Sequence, residues 1–175
     1  MRYTIVGAGA LGSLVGARLS HHGVDVELVD VDPGRLDRLA HSISVRGHRR
    51  GPPTQLRAVP WEEADSGRDA LLLCVRADQV RGALARAQST MNADTALVVL
   101  SGGIDAVDAV MSWPGERIHA VTNLEVRLDE RGEPETGFHN FTWLGNEVST
   151  ETDTMRTVQR DLSWIGPTLT TKLIV

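Results

Sequence analysis

The sequence holds one cysteine, one lysine and no apolar run of membrane-spanning length. A lone Cys74 excludes an intrachain disulfide framework. Polar residues interrupt every apolar run well short of the roughly 20 residues that a membrane span needs. For the same reason no signal peptide is expected ahead of the first strand. Lys172 is the sole lysine, and every other basic side chain is an arginine. The histidines, His21, His22, His41, His48, His119 and His139, show no metal-ligand spacing paired with acids, so no metal site is expected. Internal repeats and low-complexity linkers are also lacking. The balance of 18 basic against 23 acidic residues gives a formal charge of -5. Such a surface repels nucleic acid and anionic membrane, and neither is expected as a partner. A soluble, cytoplasmic protein is the expectation.

What remains is an ordinary globular composition, 41% hydrophobic and 23% charged, over 175 residues. That length suits one domain with a proper core and is short for a nucleotide domain plus a full substrate domain. Tyr3 to Val6 reads as a buried strand, followed by a helix from Ala10 with Leu11, Leu14, Val15 and Leu19 on one face. His21, His22 and Gly23 close that helix. Asp25 to Asp30 returns to strand character. Asp32-Pro33 then starts a helix, with an acceptor at the cap and a proline whose missing N–H costs nothing.

Ser42 to Arg46 is a candidate strand, and Gly47 to Thr54 a polar loop. Ala70 to Val75 is the clearest buried strand, with Cys74 read as a small core residue in it. A helix over about 78–89, a strand over 96–100, a helix carrying Ile104, Val107 and Met111, and a strand over 118–121 follow. Strands alternating with helices imply parallel pairing through crossovers. The expected fold class is therefore α/β, a Rossmann-type doubly wound parallel sheet, with antiparallel edge strands added between Val121 and Gly145. Met155, Val158, Leu162 and Ile165 mark a last helix, ended by Gly166-Pro167, with a strand or a new element from Leu169.

The chemistry resides in Gly7-Ala8-Gly9-Ala10-Leu11-Gly12, a GxGxxG that follows a predicted strand and opens a predicted helix. Gly7 permits the tight turn, Gly9 lets a pyrophosphate approach the backbone, and Gly12 lets helix and strand pack closely. The helix N-terminus offers unpaired N–H groups to phosphate. The alternative is a turn that binds nothing, which would leave three glycines, at roughly 0.5–1 kcal/mol each, without a ligand to justify them. Asp30 lies where a carboxylate accepts hydrogen bonds from the adenine ribose and repels a 2′-phosphate, which favours NAD(H) over NADP(H). Arg46, Arg49 and Arg50 weigh against that preference if their loop folds over the cofactor. Ser101-Gly102-Gly103 is either a wall of the nicotinamide pocket or a plain turn. Glu62-Glu63 reads as solvated surface.

Ile5 to Gly12, Leu72-Leu73-Cys74-Val75-Arg76-Ala77 with Gln79, Leu100 to Gly103, Phe138-His139 through Trp143-Leu144-Gly145, and Lys172-Leu173-Ile174-Val175 together resemble the ketopantoate reductase family, the 2-dehydropantoate 2-reductases. The resemblance implies hydride transfer from NAD(P)H to the ketone of a small 2-keto acid, in pantothenate biosynthesis. It implies Lys172 as the general acid that protonates the developing alkoxide, a role suited to a cation beside that oxygen. It also implies cofactor contacts at Arg76, where the family has a lysine, and at Ser101, where it has an asparagine. Asp30 differs from the family's basic residue for NADP, and Thr170 from its tryptophan. The family continues past the position of Val175 into a C-terminal helical domain that this fold class lacks. Residues 1–167 are then the NAD(P)-binding domain, and 168–175 the start of the connection to that domain.

Two functional readings and one without a ligand follow. The chain is the cofactor-binding half of a reductase, or a self-standing non-catalytic dinucleotide-binding module, or a scaffold with a vestigial glycine loop. On its own the chain is expected to show negligible reductase activity. Apolar surface left uncovered by a helical domain makes a homodimer through the last helix and C-terminal segment a further expectation.

Overall fold

The structure is a computed structural model that describes residues 1–100, 105–138, 141–146 and 150–170, with the side chains of 105–107 left aside. The chain opens with β1 (Arg2–Val6), α1 (Ala10–His21), β2 (Asp25–Val29) and α2 (Pro33–Ala40). Four short strands follow: β3 (Ser42–Ile43), β4 (Arg46–Gly47), β5 (Thr54–Gln55) and β6 (Arg57–Val59). A single 3-10 turn over Trp61–Glu63 leads to β7 (Ala70–Leu73), α3 (Ala77–Thr90), β8 (Ala96–Val99), α4 (Asp105–Val110) and β9 (Arg117–Thr122). The last third holds β10 (Val126–Leu128), β11 (Pro134–Thr136), β12 (Thr142–Gly145), α5 (Asp153–Leu162) and β13 (Thr168–Thr170).

Eight strands form one sheet in the order β13-β12-β9-β8-β7-β1-β2-β6. From β9 to β6 every pairing is parallel, while β12 runs antiparallel to β9 and parallel to β13. Helices cover both faces, as a parallel sheet requires, because neither face can be left to water. The sheet is thus the doubly wound Rossmann type that the alternation of strand and helix predicts.

Register builds two apolar layers from the same strands. Leu28, Ile5, Leu72, Val98 and Ile118 stand side by side across five strands and are all sealed from solvent. They pack under α1 and α5 through Leu14, Val15, Met155 and Val158. One residue further along, Val29, Val6, Leu73 and Val99 face the opposite way, into α3, α4 and two tryptophans, Trp61 and Trp113.

Local chemistry sets the helix starts. The Asp32 carboxylate accepts the N–H groups of Gly34 and Arg35 at 2.9 and 3.3 Å, with Pro33 in the first turn of α2. Thr152 caps α5 by accepting the Met155 N–H at 3.0 Å. Gly23 leaves α1 at φ +77, a backbone region open to glycine.

Several expectations are corrected. Ser42 to Arg46 is two strands in two small sheets: β3 pairs with β5, while β4 joins β10 and β11. Of the segment between Val121 and Gly145, only β12 extends the main sheet. The hairpin β10–β11, turned by Arg131 to Glu133, stands apart from it. Cys74 lies one residue beyond β7 and is half-buried. Met111 falls outside α4 and is exposed, the buried positions there among the described side chains being Ala109, Val110 and Trp113. β6, a sheet-edge strand, is absent from the sequence reading altogether.

Charge is buried beside that edge. Glu27 in β2 is fully enclosed. Its carboxylate accepts the Thr4 hydroxyl and the Asp65 N–H, each at 2.9 Å, and the guanidinium of Arg57 at 3.1 Å. Buried Arg68 reaches it at 3.5 Å and pairs with Asp25 at 2.6 Å. A buried charge stripped of its partner is strongly destabilising. Arg68→Met is therefore expected to lower unfolding stability by roughly 3 kcal/mol, read as a fall in the urea midpoint at unchanged slope.

Candidate functional site

The C-terminal ends of β1, β2 and β7 meet at a cavity of ≈ 610 Å³. Its lining runs from Val6, Gly7 and Gly9 through Asp30, Val31, Asp32 and Arg35 to Trp61, and from Cys74, Val75 and Arg76 along α3 to Arg86. Crevices outside the carboxyl ends of parallel strands are where such sheets bind ligands.

The three glycines of the loop have separable physical roles. Gly7 has φ +99, and a Cβ there would lie 2.8 Å from the Val75 side chain and 2.9 Å from the Cys74 carbonyl. At Gly12 an added Cβ would come within 1.9 Å of the Gly7 carbonyl oxygen, so α1 can lie this close to β1 only without a side chain. Gly9 differs, because nothing lies within 4 Å of where its Cβ would be. Its missing side chain leaves room in the cavity.

Gly9 is also the N-cap of α1, with no side chain capping the helix and no acid in its first turn. The N–H groups of Ala10, Leu11 and Gly12 therefore begin a 12-residue helix without an acceptor from a capping side chain. Together with the helix dipole they form an anion-binding terminus.

Asp30 is buried beneath this loop. Its Oδ2 accepts the Ala8 N–H at 2.6 Å and lies 3.4 Å from Arg35, and its Oδ1 accepts the Asp32 N–H at 2.9 Å. Arg35 also lies 3.4 Å from Asp32, so one guanidinium is shared between two carboxylates. That corner carries a net negative charge.

Arg76 caps α3. Its N–H donates to the Gln79 side chain at 3.3 Å, and its guanidinium pairs with Asp78 at 2.9 Å, where each group strengthens the charged form of the other. The side chain is exposed at the cavity rim. Cys74 borders the cavity too, and burial pushes its thiol up to about 12, far from a reactive thiolate.

Of the residues singled out from sequence, Gly7, Gly9, Asp30 and Arg76 line one cavity, while Ala8, Ala10, Leu11 and Gly12 build the turn and helix behind it. Ser101 and Lys172 lie outside the described residues. Arg46, Arg49 and Arg50 are not on the cavity: Arg46 pairs with Glu133, and buried Arg18 donates to the Arg49 and Arg50 carbonyls. Sequence reasoning missed Arg35, Trp61 and Arg86. Spacing of 79, 82, 83 and 86 on one helix face was the available signal for Arg86. Trp61 had none, since it depends on the pairing of β6.

Residues 3–147 match the family model described as ketopantoate reductase PanE/ApbA. A glycerol-3-phosphate dehydrogenase [NAD(P)+] from Anaeromyxobacter dehalogenans is 29% identical over 115 residues, 64% of this chain and 34% of that protein. Among solved structures, D-mandelate dehydrogenase with NADH and anilino(oxo)acetate superposes with a TM-score of 0.85 at 23% identity, covering 98% of this chain and 57% of that one. A PanE/ApbA family ketopantoate reductase from Ralstonia eutropha JMP134 gives 0.84 at 19% identity, covering 98% and 56%. These likenesses show the fold, and the chain spans little more than half the length of the solved chains.

The different roles of the glycines make a direct contrast. Gly12→Ala is expected to destabilise the fold by about 3 kcal/mol through overpacking, whereas Gly9→Ala should stay within about 1 kcal/mol of the parent. Thermal and urea unfolding of the two variants measures the difference.

Proposed function

Because the chain belongs to the ketopantoate reductase PanE/ApbA family, we propose that it is the cofactor-binding part of a nicotinamide-dependent 2-keto acid reductase. The observation that carries this reading is the open space at Gly9, facing an uncapped helix N-terminus in a cavity of ligand size. Gly7, Gly9 and the first turn of α1 hold the pyrophosphate, Asp30 faces the adenine ribose, and Arg76 and Ser101 flank the cofactor.

A bound reduced nicotinamide supplies the hydride. Lys172 holds the proton for the carbonyl oxygen of a small 2-keto acid such as ketopantoate, which sets the protein in the cytoplasm and in pantothenate biosynthesis. NAD(H) is preferred over NADP(H), because two carboxylates share one guanidinium where a 2′-phosphate would sit.

Residues 1–167 form the binding domain on this reading, and 168–175 lead towards a helical domain. An apolar patch supports a further covering body. Val121, Trp143 and Leu169 stand opposite one another on β9, β12 and β13 and are 59, 36 and 49% exposed, with Phe141 beside Trp143. A helical domain, or a second copy in a homodimer, would cover this patch.

The alternative, a self-standing binding module, is favoured by one fact: among the described residues, those lining the cavity all lie between Val6 and Arg86. Both readings require cofactor binding.

Titration calorimetry should give NADH binding in the micromolar range, tighter than NADPH, with at least about a tenfold loss in Gly9→Ala. A tighter NADPH complex would overturn the NAD preference, and no binding of either cofactor would overturn the function. Turnover of ketopantoate by these 175 residues alone should be negligible. Robust turnover would show that no further domain is needed.

A further inference from the structure

The basic loop between β4 and β5, which takes no part in the cavity, is fastened at two points. At Gly47, with φ +85, a Cβ would overlap the Thr136 carbonyl oxygen, so the chain turns there in close contact with β11. The His48 N–H donates to that carbonyl at 3.0 Å and the Arg49 N–H to the Thr136 hydroxyl at 3.3 Å. Gly51 then donates its N–H to the Val45 carbonyl at 3.0 Å and closes the loop. A Cβ on Gly51 would stand 3.3 Å from a terminal nitrogen of Arg18, so this glycine lets the loop settle on the Arg18 guanidinium. Val45 and Thr136 are buried, and the turn is thereby part of the packed body.

Arg18, on α1, keeps only 9% of its surface exposed. Its two terminal nitrogens donate to the carbonyls of Arg49 and Arg50, which leaves each a second N–H, and its Nε is sealed without a partner. The other buried arginine, Arg68, is held by Asp25 and Glu27. Among the described residues no carboxylate holds Arg18, and the charged group that faces it is a second cation. Burial and then Arg49 both disfavour its charged form. The side chains of Arg49 and Arg50 are exposed and have no carboxylate partner among the described residues either. A buried charge is ordinarily paired. In a chain of formal charge -5, this corner gathers three guanidinium groups around a missing anion.

We propose that Arg18, Arg49 and Arg50 form an oxyanion site that takes a phosphate group. A guanidinium fork matches phosphate oxygens two at a time, and an anion between Arg18 and Arg49 turns their repulsion into attraction. A small group suits the place better than an acidic protein surface, because Arg18 is recessed behind the loop carbonyls and only the other two arginines project. The site is separate from the dinucleotide cavity. None of its three arginines lines that cavity, and nine residues of α1 part Arg18 from Gly9, about 13 Å along the helix. The proposal therefore stands whether or not the chain binds a nicotinamide cofactor.

The sealed Arg18 Nε–H gives a local readout, because an amide or guanidinium proton shut away from water exchanges slowly. Its ¹H–¹⁵N resonance, assigned by through-bond correlation, is followed while sodium phosphate replaces sodium chloride at constant ionic strength. A saturable shift is expected with phosphate and none with chloride. In the double variant Arg49→Gln/Arg50→Gln, which alters exposed side chains only, the midpoint should rise at least about tenfold through loss of two charge-assisted contacts. Gly9→Ala should keep the parent midpoint, since the glycine loop is a different anion site. Ethyl phosphate is titrated in parallel: a midpoint below that of inorganic phosphate supports a phosphate monoester as the source, and one above it supports free phosphate. Absence of a saturable shift, an equal response to chloride, or a parent-like midpoint in the double variant overturns the site. A midpoint raised by Gly9→Ala overturns it as well, by assigning the phosphate to the glycine loop. Hexaglutamate that shifts the resonance at lower concentration than either phosphate overturns the small-anion assignment.

Discussion

The contact between the Gly7 carbonyl and the backbone of Gly12 sets the distance between β1 and α1, and the cavity is a consequence of that distance. A methyl group at Gly12 would overlap the carbonyl oxygen, so the helix could not start where it does. With α1 drawn in, its N-terminus opens directly under the loop, and Gly9 faces empty space. Asp30 completes the arrangement from the neighbouring strand by taking the Ala8 N–H at 2.6 Å. The same carboxylate therefore stiffens the loop and faces the cavity. A backbone N–H held by a buried acid is a strong hydrogen bond, and it pins a loop otherwise rich in glycine.

The two sides of the sheet do different work. Under α1 and α5 the layer is a plain apolar core, with Tyr3 donating to buried Asp161 at 2.7 Å to fasten β1 to the last helix. Burial and that carboxylate both raise the Tyr3 hydroxyl well above its ordinary range, so it serves as a donor throughout the physiological span. On the other side, α3 and Trp61 form both core and cavity wall, so packing of Val80, Leu84 and Ala87 also positions the residues that face a ligand. Glu27, with Arg57 and Arg68, holds the β6 edge against β2, and Trp61 reaches the cavity only because that edge is in place.

The outer strands follow another logic. β9, β12 and β13 are covered on the α5 side by Leu144, Met155 and Val158, whereas Val121, Trp143 and Leu169 present apolar side chains to solvent on the other. Strand alternation places these three on one face, and the cross-strand pairing lines them up. Isolated exposed apolar residues need no explanation, whereas these three form one row across adjacent strands.

The main sheet was legible where a strand or helix carries its own periodicity. Tyr3 to Val6, Ala70 to Leu73 and the stripe of α1 repeat a local rule that no distant residue alters. The glycine loop was legible for the same reason, because its turn, its approach and its helix start all lie within six residues. The two- and three-residue strands were not, since so short a run has no period and exists only through its partners. Thus Arg46-Gly47 becomes a strand because Glu135-Thr136 lies beside it, nearly ninety residues on. By itself the sequence determined the fold class and the place of the glycine loop, through local pattern and backbone sterics. Tertiary structure alone decided that Arg35, Trp61 and Arg86 share the cavity, that Arg46, Arg49 and Arg50 do not, and that Glu27 is buried. Those outcomes depend on which strands pair at the edge, a property of long-range contacts that no local window contains.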